Sequence, residues 1–240
     1  MRILPWLHLA GSRQFGLSSP WDCHIYALRR PGGGILLIDA GSGLANHRIV
    51  ANLKAEFGDP LPQGAILITH KHPDHAAGAA SLSRDLGGWP VHTSTLTAPI
   101  LTAGQSEAPG YPPELVYAPC SVAETFVPGA TFDLQGFTIE TIPVRGHSED
   151  SIAFLVDGQD LFTADVVFYG GILGLINAPG SDLAAYRQDL PKLAGRNVRG
   201  LFPSHGLFTI ENGQHHIDTA LAALQGGFVP RTIGQGDLIF

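Results

Sequence analysis

Cysteine is nearly absent: the chain of 240 residues holds only Cys23 and Cys120. Two thiols rule out a disulfide framework, and they do not stand in the CxxC spacing of a thiolate metal knuckle. The expectation is two free thiols in a reducing, cytoplasmic compartment, with a single bridge between them as the alternative. Long apolar runs are missing too. No stretch approaches the ~20 residues that a membrane-spanning helix needs. Residues 1–9 are interrupted by Pro5 and His8, so they read as a first strand and not as a signal peptide. Positive charge is scarce. A formal net charge of −7 offers no general attraction to nucleic acid or to an anionic membrane, which leaves a small molecule as the expected partner. No Lys or Arg occurs between Arg84 and Arg145, and there is neither an internal repeat nor a low-complexity segment.

With 44% hydrophobic and 15% charged residues, the chain can bury a sizeable core, in one domain or two intimately packed halves. Its 30 Gly and 18 Pro are separated by apolar runs, the pattern of a loop-rich α/β fold. Strands are expected at 23–28 and 34–39. The turn Pro31-Gly32-Gly33-Gly34 between them lacks the Lys-Ser/Thr of a phosphate loop and joins strand to strand. Leu44, Ile49, Val50, Leu53 and Phe57 recur at helical spacing until Gly58 and Pro60 stop the helix. Further strands are expected at 65–68, 90–93, 136–144, 151–156, 160–164 and 200–203, and helices at 75–86, 182–193 and 214–224. The alternation points to α/β layers. The stretch 94–133, rich in Pro, Gly, Ala and Thr with weak periodicity, is expected to be a functional lid or pocket wall. Residues 228–240 are open between an added strand, a packed tail and a dimer contact, and the oligomeric state is not readable.

The chemistry concentrates in Thr69-His70-Lys71-His72-Pro73-Asp74-His75, with Gly78 close behind. Three imidazoles and a carboxylate follow an apolar strand directly. They cannot all share one face of a strand or of a helix, but in a tight loop between the two they can converge on a point. Neutral imidazole and carboxylate are the donors a divalent first-row metal takes. Three more candidates follow short apolar strands, where ligands gather in α/β sheets: His147, Asp165 and His205. His70, His72 and His147 offer an open three-nitrogen site; Asp74, His75 and His205 offer a second, with Asp165 to bridge them. His8, His24, His47 and His92 are expected to be structural or surface residues, and His215 and His216 to be solvated on the last helix.

The spacing His70-x-His72-x-Asp74-His75-x-x-Gly78, followed in order by Gly146-His147, Asp165 and His205, resembles the metallo-β-lactamase-fold superfamily from Asp39 to His205. Gly146-His147-Ser148, Leu161-Phe162-Thr163-Ala164-Asp165 and Pro203-Ser204-His205-Gly206 look most like its glyoxalase II-like branch, whereas His72 stands where the flavodiiron branch has Glu. The resemblance implies an α/β fold, a four-layer αββα sandwich with the metal site at one edge of the sheets, in one domain over 1–240. It implies two divalent metal ions, zinc first and iron or manganese as alternatives, held by His70, His72, Asp74, His75, His147, Asp165 and His205. Asp39 would support the ligands from behind and not bind metal itself. A bridging water whose pKa falls from ~15.7 toward ~7 would supply hydroxide. That hydroxide would attack a carbonyl or, as second choice, a phosphoryl centre. Asp74 would also shuttle a proton to the leaving group. Tyr169 is either a donor to the substrate oxygen or a ring packed beside Phe168.

Glyoxalase II enzymes add a helical C-terminal domain and basic residues that grip glutathione. Here about 35 residues follow His205, short for such a domain, and 170–177 lacks a basic residue. The expected substrate is therefore a neutral, fairly apolar carboxylic ester, thioester or lactone, lying against Tyr111, Tyr117, Phe168, Ile172, Leu173 and Leu175. The alternatives are an oxidoreductase like the mononuclear iron persulfide dioxygenases, and β-lactamase or phosphodiesterase activity at the same site.

Overall fold

The computed structural model describes residues 1–104, 111–227 and 231–233, which form two compact units. Unit 1 takes in the described residues up to Val127 together with Leu134–Gly136; unit 2 takes in Pro128–Asp133 and the described residues from Phe137 onward.

Unit 1 is built on a seven-stranded sheet. Its strands are β1 (Arg2–Leu4), β2 (Leu7–Gly11), β3 (Ile25–Arg29), β4 (Ile35–Ile38), β5 (Gly64–Leu67), β6 (Val91–Ser94) and β7 (Glu124–Phe126), adjacent in that order. Strands β1 to β4 pair antiparallel, and β4 to β7 pair parallel. Both β4 and β5 are buried at every residue, as strands inside a parallel sheet usually are. The helices are α1 (Asn46–Phe57), α2 (Pro73–Ala76), α3 (Ala79–Asp85) and α4 (Ala98–Ala103). Helix α1 places Ile49 and Leu53 in a core with Ile35, Leu37, Ile66 and Leu82. Each such side chain contributes about 1.5–3 kcal/mol by leaving water.

Unit 2 comprises β8 (Thr131–Leu134, whose last residue counts with unit 1), β9 (Phe137–Pro143), β10 (Ile152–Val156), β11 (Asp160–Ala164), β12 (Val167–Phe168), β13 (Ile172–Leu173), α5 (Leu183–Asp189), β14 (Gly200–Pro203) and α6 (Gly213–Gln225). Five strands form a sheet in the order β14-β11-β10-β9-β8, and β12 pairs with β13. Tyr186 of α5 and Ile217, Ala220 and Leu221 of α6 close a core with Leu155, Leu161, Val167 and Leu201.

Register explains where the polar residues emerge. β4 and β5 are parallel neighbours with Ile38 opposite Leu67, so Asp39 and the His-rich loop leave the sheet together. β11 and β14 are parallel with Ala164 opposite Pro203. β9 runs in the direction of β11, because each is antiparallel to β10. His147, Asp165 and His205 thus follow the carboxyl ends of three strands of one sheet.

Several elements differ from expectation for local reasons. The first strand is two, β1 and β2, because Pro5 has no N–H for the ladder and sits in the turn between them. The helix expected over 75–86 is α2 plus α3, interrupted at Gly78. The helix expected over 182–193 ends as a 3-10 turn at Leu190–Leu193, which contains Pro191. The stretch 94–133 carries α4, β7 and the start of β8, with Tyr117 and Cys120 buried in the unit 1 core; its residues 105–110 lie outside the described ones. Of 228–240 only 231–233 are described. There Leu173 N–H donates to Arg231 at 2.9 Å and Thr232 forms a parallel bridge with Leu173. Both cysteines are buried free thiols. Among the described residues no helix is long and apolar enough to cross a membrane.

Candidate metal centre

In unit 1 the organising side chain is Asp39, which ends β4. Its φ of 66° is left-handed, a conformation that Asp and Asn tolerate better than most residues. The carboxylate is wholly buried. Oδ1 accepts from the Thr69 N–H and the Thr69 hydroxyl, each at 2.9 Å, and Oδ2 accepts from His75 Nδ1 at 2.8 Å. An ionised carboxylate only accepts, so this contact fixes the His75 proton on Nδ1 and leaves the lone pair on Nε2. Thr69 passes the same constraint on. Its hydroxyl donates to Asp39, so toward His70 Nδ1, 3.0 Å away, it accepts. His70 therefore also presents the lone pair of Nε2, which lies 3.1 Å from Nδ1 of half-buried His72. His75 Nε2 faces Oδ2 of Asp74 at 3.4 Å. A neutral imidazole lone pair and a carboxylate at that distance repel unless a proton or a metal ion lies between them.

The break at Gly78 holds this loop in place. In an unbroken helix the Gly78 N–H would bond the Asp74 carbonyl. Here it donates to Gly41 at 2.8 Å, and the Asp74 carbonyl accepts from the Cys23 N–H at 3.2 Å. Only glycine permits the approach, since a Cβ on Gly78 would lie 2.4 Å from the Ala40 carbonyl oxygen. Cys23 has a second relation to the site. Its sulfur, the Asp39 carboxylate and the His75 imidazole lie within 4.8 Å of one another, all buried. Burial pushes the thiol well above its usual range, more than His75 lowers it, so Cys23 stays protonated.

In unit 2 the acceptor is a backbone carbonyl. His147 Nδ1 donates to Gly174 at 2.6 Å, which again frees Nε2. Nε2 of His147 and Nε2 of His205 each lie 3.5 Å from the same oxygen, Oδ2 of Asp165. All three side chains are buried. Gly174 is glycine because a Cβ there would lie 1.7 Å from the Asp165 carbonyl oxygen. Gly146, at φ 136°, lies against the Tyr186 ring, which a Cβ would meet at 2.2 Å. The Tyr186 hydroxyl donates to the Val166 carbonyl at 3.1 Å. Arg145, just before Gly146, is tied to Asp189 through its N–H at 3.1 Å and Nε at 2.7 Å. Burial alone would raise the Asp189 pKa; hydrogen bonds from Arg145 and Lys192 outweigh it and bring it down to about 2. In both units, then, imidazole nitrogens and carboxylate oxygens face each other, and the protons of His70, His75 and His147 are held on Nδ1. This is a donor set that suits a divalent first-row metal.

The remaining predicted residues divide. The Tyr111 hydroxyl donates to Oδ1 of Asp74 at 2.5 Å. Tyr169 is 44% exposed, with its ring centroid 4.2 Å from that of His216. Tyr117, Phe168 and Leu173 are buried, so their side chains serve packing, while Ile172 and Leu175 are half-buried. His216 is a correction. It is buried and not solvated, and its Nδ1 accepts from the Gly170 N–H at 3.0 Å. The sequence reading missed Thr69, whose place directly before His70 was the available signal, and Gly174, which carried none.

Comparison with known proteins agrees with this geometry. A family profile described as the metallo-β-lactamase superfamily matches residues 19–205. An atrochrysone carboxyl ACP thioesterase of Aspergillus fumigatus is 30% identical over 184 residues, covering 76% of this chain and 50% of that protein. A hydroxyacylglutathione hydrolase of Glaesserella parasuis is 32% identical over 107 residues, covering 45% of this chain and 37% of that one. This chain thus spans half the length or less of these two relatives. A solved metallo-β-lactamase of Cronobacter sakazakii matches with a TM-score of 0.69 at 22% identity, over 95% of this chain and 93% of that chain, which bears out the expected fold. From the tautomer-fixed histidines to the profile that covers most of its length, the chain belongs to the metallo-β-lactamase superfamily.

Proposed function

We propose that the chain is a metal-dependent hydrolase acting on a neutral, fairly apolar thioester, ester or lactone. The observation that supports this most is the fixed tautomers of His70, His75 and His147, each with Nδ1–H committed to an acceptor and Nε2 left as a base. We assign His70, His72, Asp74 and His75 of unit 1 and His147, Asp165 and His205 of unit 2 as the side chains that would hold two divalent ions, with zinc preferred over iron or manganese. Such ions supply a Lewis acid for the acyl oxygen and an activated water at neutral pH. No Ser or Cys nucleophile is then needed. Asp39 and Thr69 hold the imidazoles in the productive tautomer. Asp74 is assigned the proton transfer to the leaving group. Tyr169, its ring braced on His216, is assigned the donation of a hydrogen bond to the substrate oxygen.

The relatives named as a thioesterase and as a hydroxyacylglutathione hydrolase support placing thioesters first. The lack of Lys and Arg between Arg84 and Arg145 supports an uncharged acyl group, and Ile172 and Leu175 are its proposed apolar contacts. The test is an assay of zinc-loaded wild type, chelator-stripped protein, Asp74→Ala and Tyr169→Phe. The panel covers acyl thioesters, esters, lactones, β-lactams and phosphodiesters. Chelation and Asp74→Ala are each expected to lower acyl hydrolysis by at least about 100-fold, and Tyr169→Phe by about 10–100-fold. Undiminished turnover after chelation and in Asp74→Ala would refute the proposal.

A further inference from the structure

We infer that Tyr111 is a positioning residue that restricts Asp74 to ligation through a single oxygen, an inference that rests on the metal-site reading above. The Tyr111–Asp74 hydrogen bond, at 2.5 Å, is in the range of a charge-assisted O–H···O⁻ contact. The donor is the phenol, because an ionised carboxylate has no proton to give. Oδ1 is thereby occupied, and Oδ2 is the oxygen that faces His75 Nε2 at 3.4 Å. Tyr111 and His75 thus lie on different oxygens of Asp74, the phenol on Oδ1 and the imidazole on Oδ2.

The surroundings make this contact a restraint. The Asp74 main chain is already held, its carbonyl accepting the Cys23 N–H at 3.2 Å within α2. Its remaining freedom is side-chain rotation, and the Tyr111 hydroxyl removes it. Tyr111 is itself braced. Its ring lies 5.8 Å from that of Trp21, centroid to centroid. It precedes Pro112-Pro113, and Leu115 N–H donates to Pro112 at 3.0 Å to close a turn. Residues 21–23 therefore hold Asp74 twice, through the Cys23 N–H on its backbone and through Trp21 behind Tyr111. That segment is in turn pinned by buried Asp22, which accepts from the Ser42 N–H at 2.8 Å and from the Ser19 N–H at 3.0 Å. The tyrosine expected to wall the substrate pocket is, by this geometry, committed through its hydroxyl to the metal-binding loop.

The test is Tyr111→Phe in the full chain, which keeps the ring beside Trp21 and deletes the donor. Zinc affinity is measured by competition with a chromophoric chelator, and the unfolding midpoint on metal-free protein. Affinity is expected to fall about 10–100-fold with the metal-free midpoint unchanged, and Tyr111→Phe is expected to add no further loss to Asp74→Ala. Wild-type affinity in Tyr111→Phe, an equal added loss on the Asp74→Ala background, or a lowered metal-free midpoint would each overturn the inference. If wild type binds zinc tightly in those cases, the metal-site reading stands. A wild-type chain that takes up no zinc overturns that reading and this inference with it.

Discussion

Asp39→Asn is the sharpest perturbation of the tautomer network. Asn is isosteric and accepts the φ of 66° found at this position, whereas Ala there would add a backbone cost of about 1–2 kcal/mol. The carboxylate meets donors on both sides: the Thr69 N–H and hydroxyl on Oδ1, and His75 Nδ1–H on Oδ2. An amide offers one acceptor and one donor, so either orientation sets its NH₂ against a donor. If the NH₂ faces His75, the ring must move its proton to Nε2 and lose the lone pair that would bind metal. If it faces Thr69, a buried N–H is stranded. Leaving one buried donor unsatisfied costs about 1–3 kcal/mol, and losing the charge-assisted bonds adds to this. The expected loss is about 2–4 kcal/mol in urea unfolding of metal-free protein, a large part of a typical total of about 5–15 kcal/mol. Zinc affinity, measured by chelator competition, is expected to fall about 10–100-fold. A variant within about 1 kcal/mol of wild-type stability that binds zinc with wild-type affinity would refute the assignment of Asp39 as the residue that fixes both rings.

Two further outcomes follow from unit 2. Gly174→Ala sets a Cβ 1.7 Å from the Asp165 carbonyl oxygen, so the backbone must move; a stability loss of about 3 kcal/mol is expected, and urea unfolding within about 0.5 kcal/mol of wild type would sink this reading. Asp189 has its pKa lowered to about 2 from 3.8. A depressed carboxylate contributes stability above its unfolded pKa and loses it as pH falls through the folded value, so the window runs from about pH 4 down to about pH 2. Because its partner Arg145 is half exposed, the contribution is discounted to about 1–2 kcal/mol. Asp189→Asn is expected to cost that much in urea unfolding at pH 7 and little near pH 2, and a gap independent of pH would count against it.

The candidate ligands were legible as candidates because they lie in short polar loops directly after apolar runs, and an apolar run of four or five residues has few readings other than a strand. Thr69-His70 to His75 needed no tertiary knowledge. The division between α2 and α3 did, because it is made by Gly78 bonding Gly41 and by Cys23 bonding Asp74, contacts 37 and 51 positions away in sequence. The same is true of Tyr111, whose partner lies 37 residues earlier. Apolar residues of a supposed pocket were the least legible, since Tyr117, Phe168 and Leu173 read alike whether they line a cleft or fill a core. His216 is different. Gly213, His216, Ile217, Ala220, Leu221 and Leu224 form one buried stripe of α6, so helical periodicity carried through the whole segment already puts His216 inside.

The two units orient their histidines by unlike acceptors, and this separates two kinds of functional loss. In unit 1 the acceptor is a side-chain carboxylate, which raises the basicity of the ring it holds and can be removed by changing one side chain. In unit 2 it is the main-chain carbonyl of Gly174, which no side-chain substitution deletes and only displacement of the backbone disturbs. A change at Asp39 therefore alters the proton on His75, and through Thr69 on His70, while every candidate ligand stays in the chain. A change at Gly174 moves the acceptor of His147 and crowds Asp165 together. Both changes are expected to weaken metal binding and the metal-free fold, but a change at Asp39 releases the proton on His75 Nδ1, whereas a change at Gly174 leaves that proton in place and disturbs His147. Imidazole nitrogen NMR of His75 and His147 in metal-free protein distinguishes control of the proton from control of position.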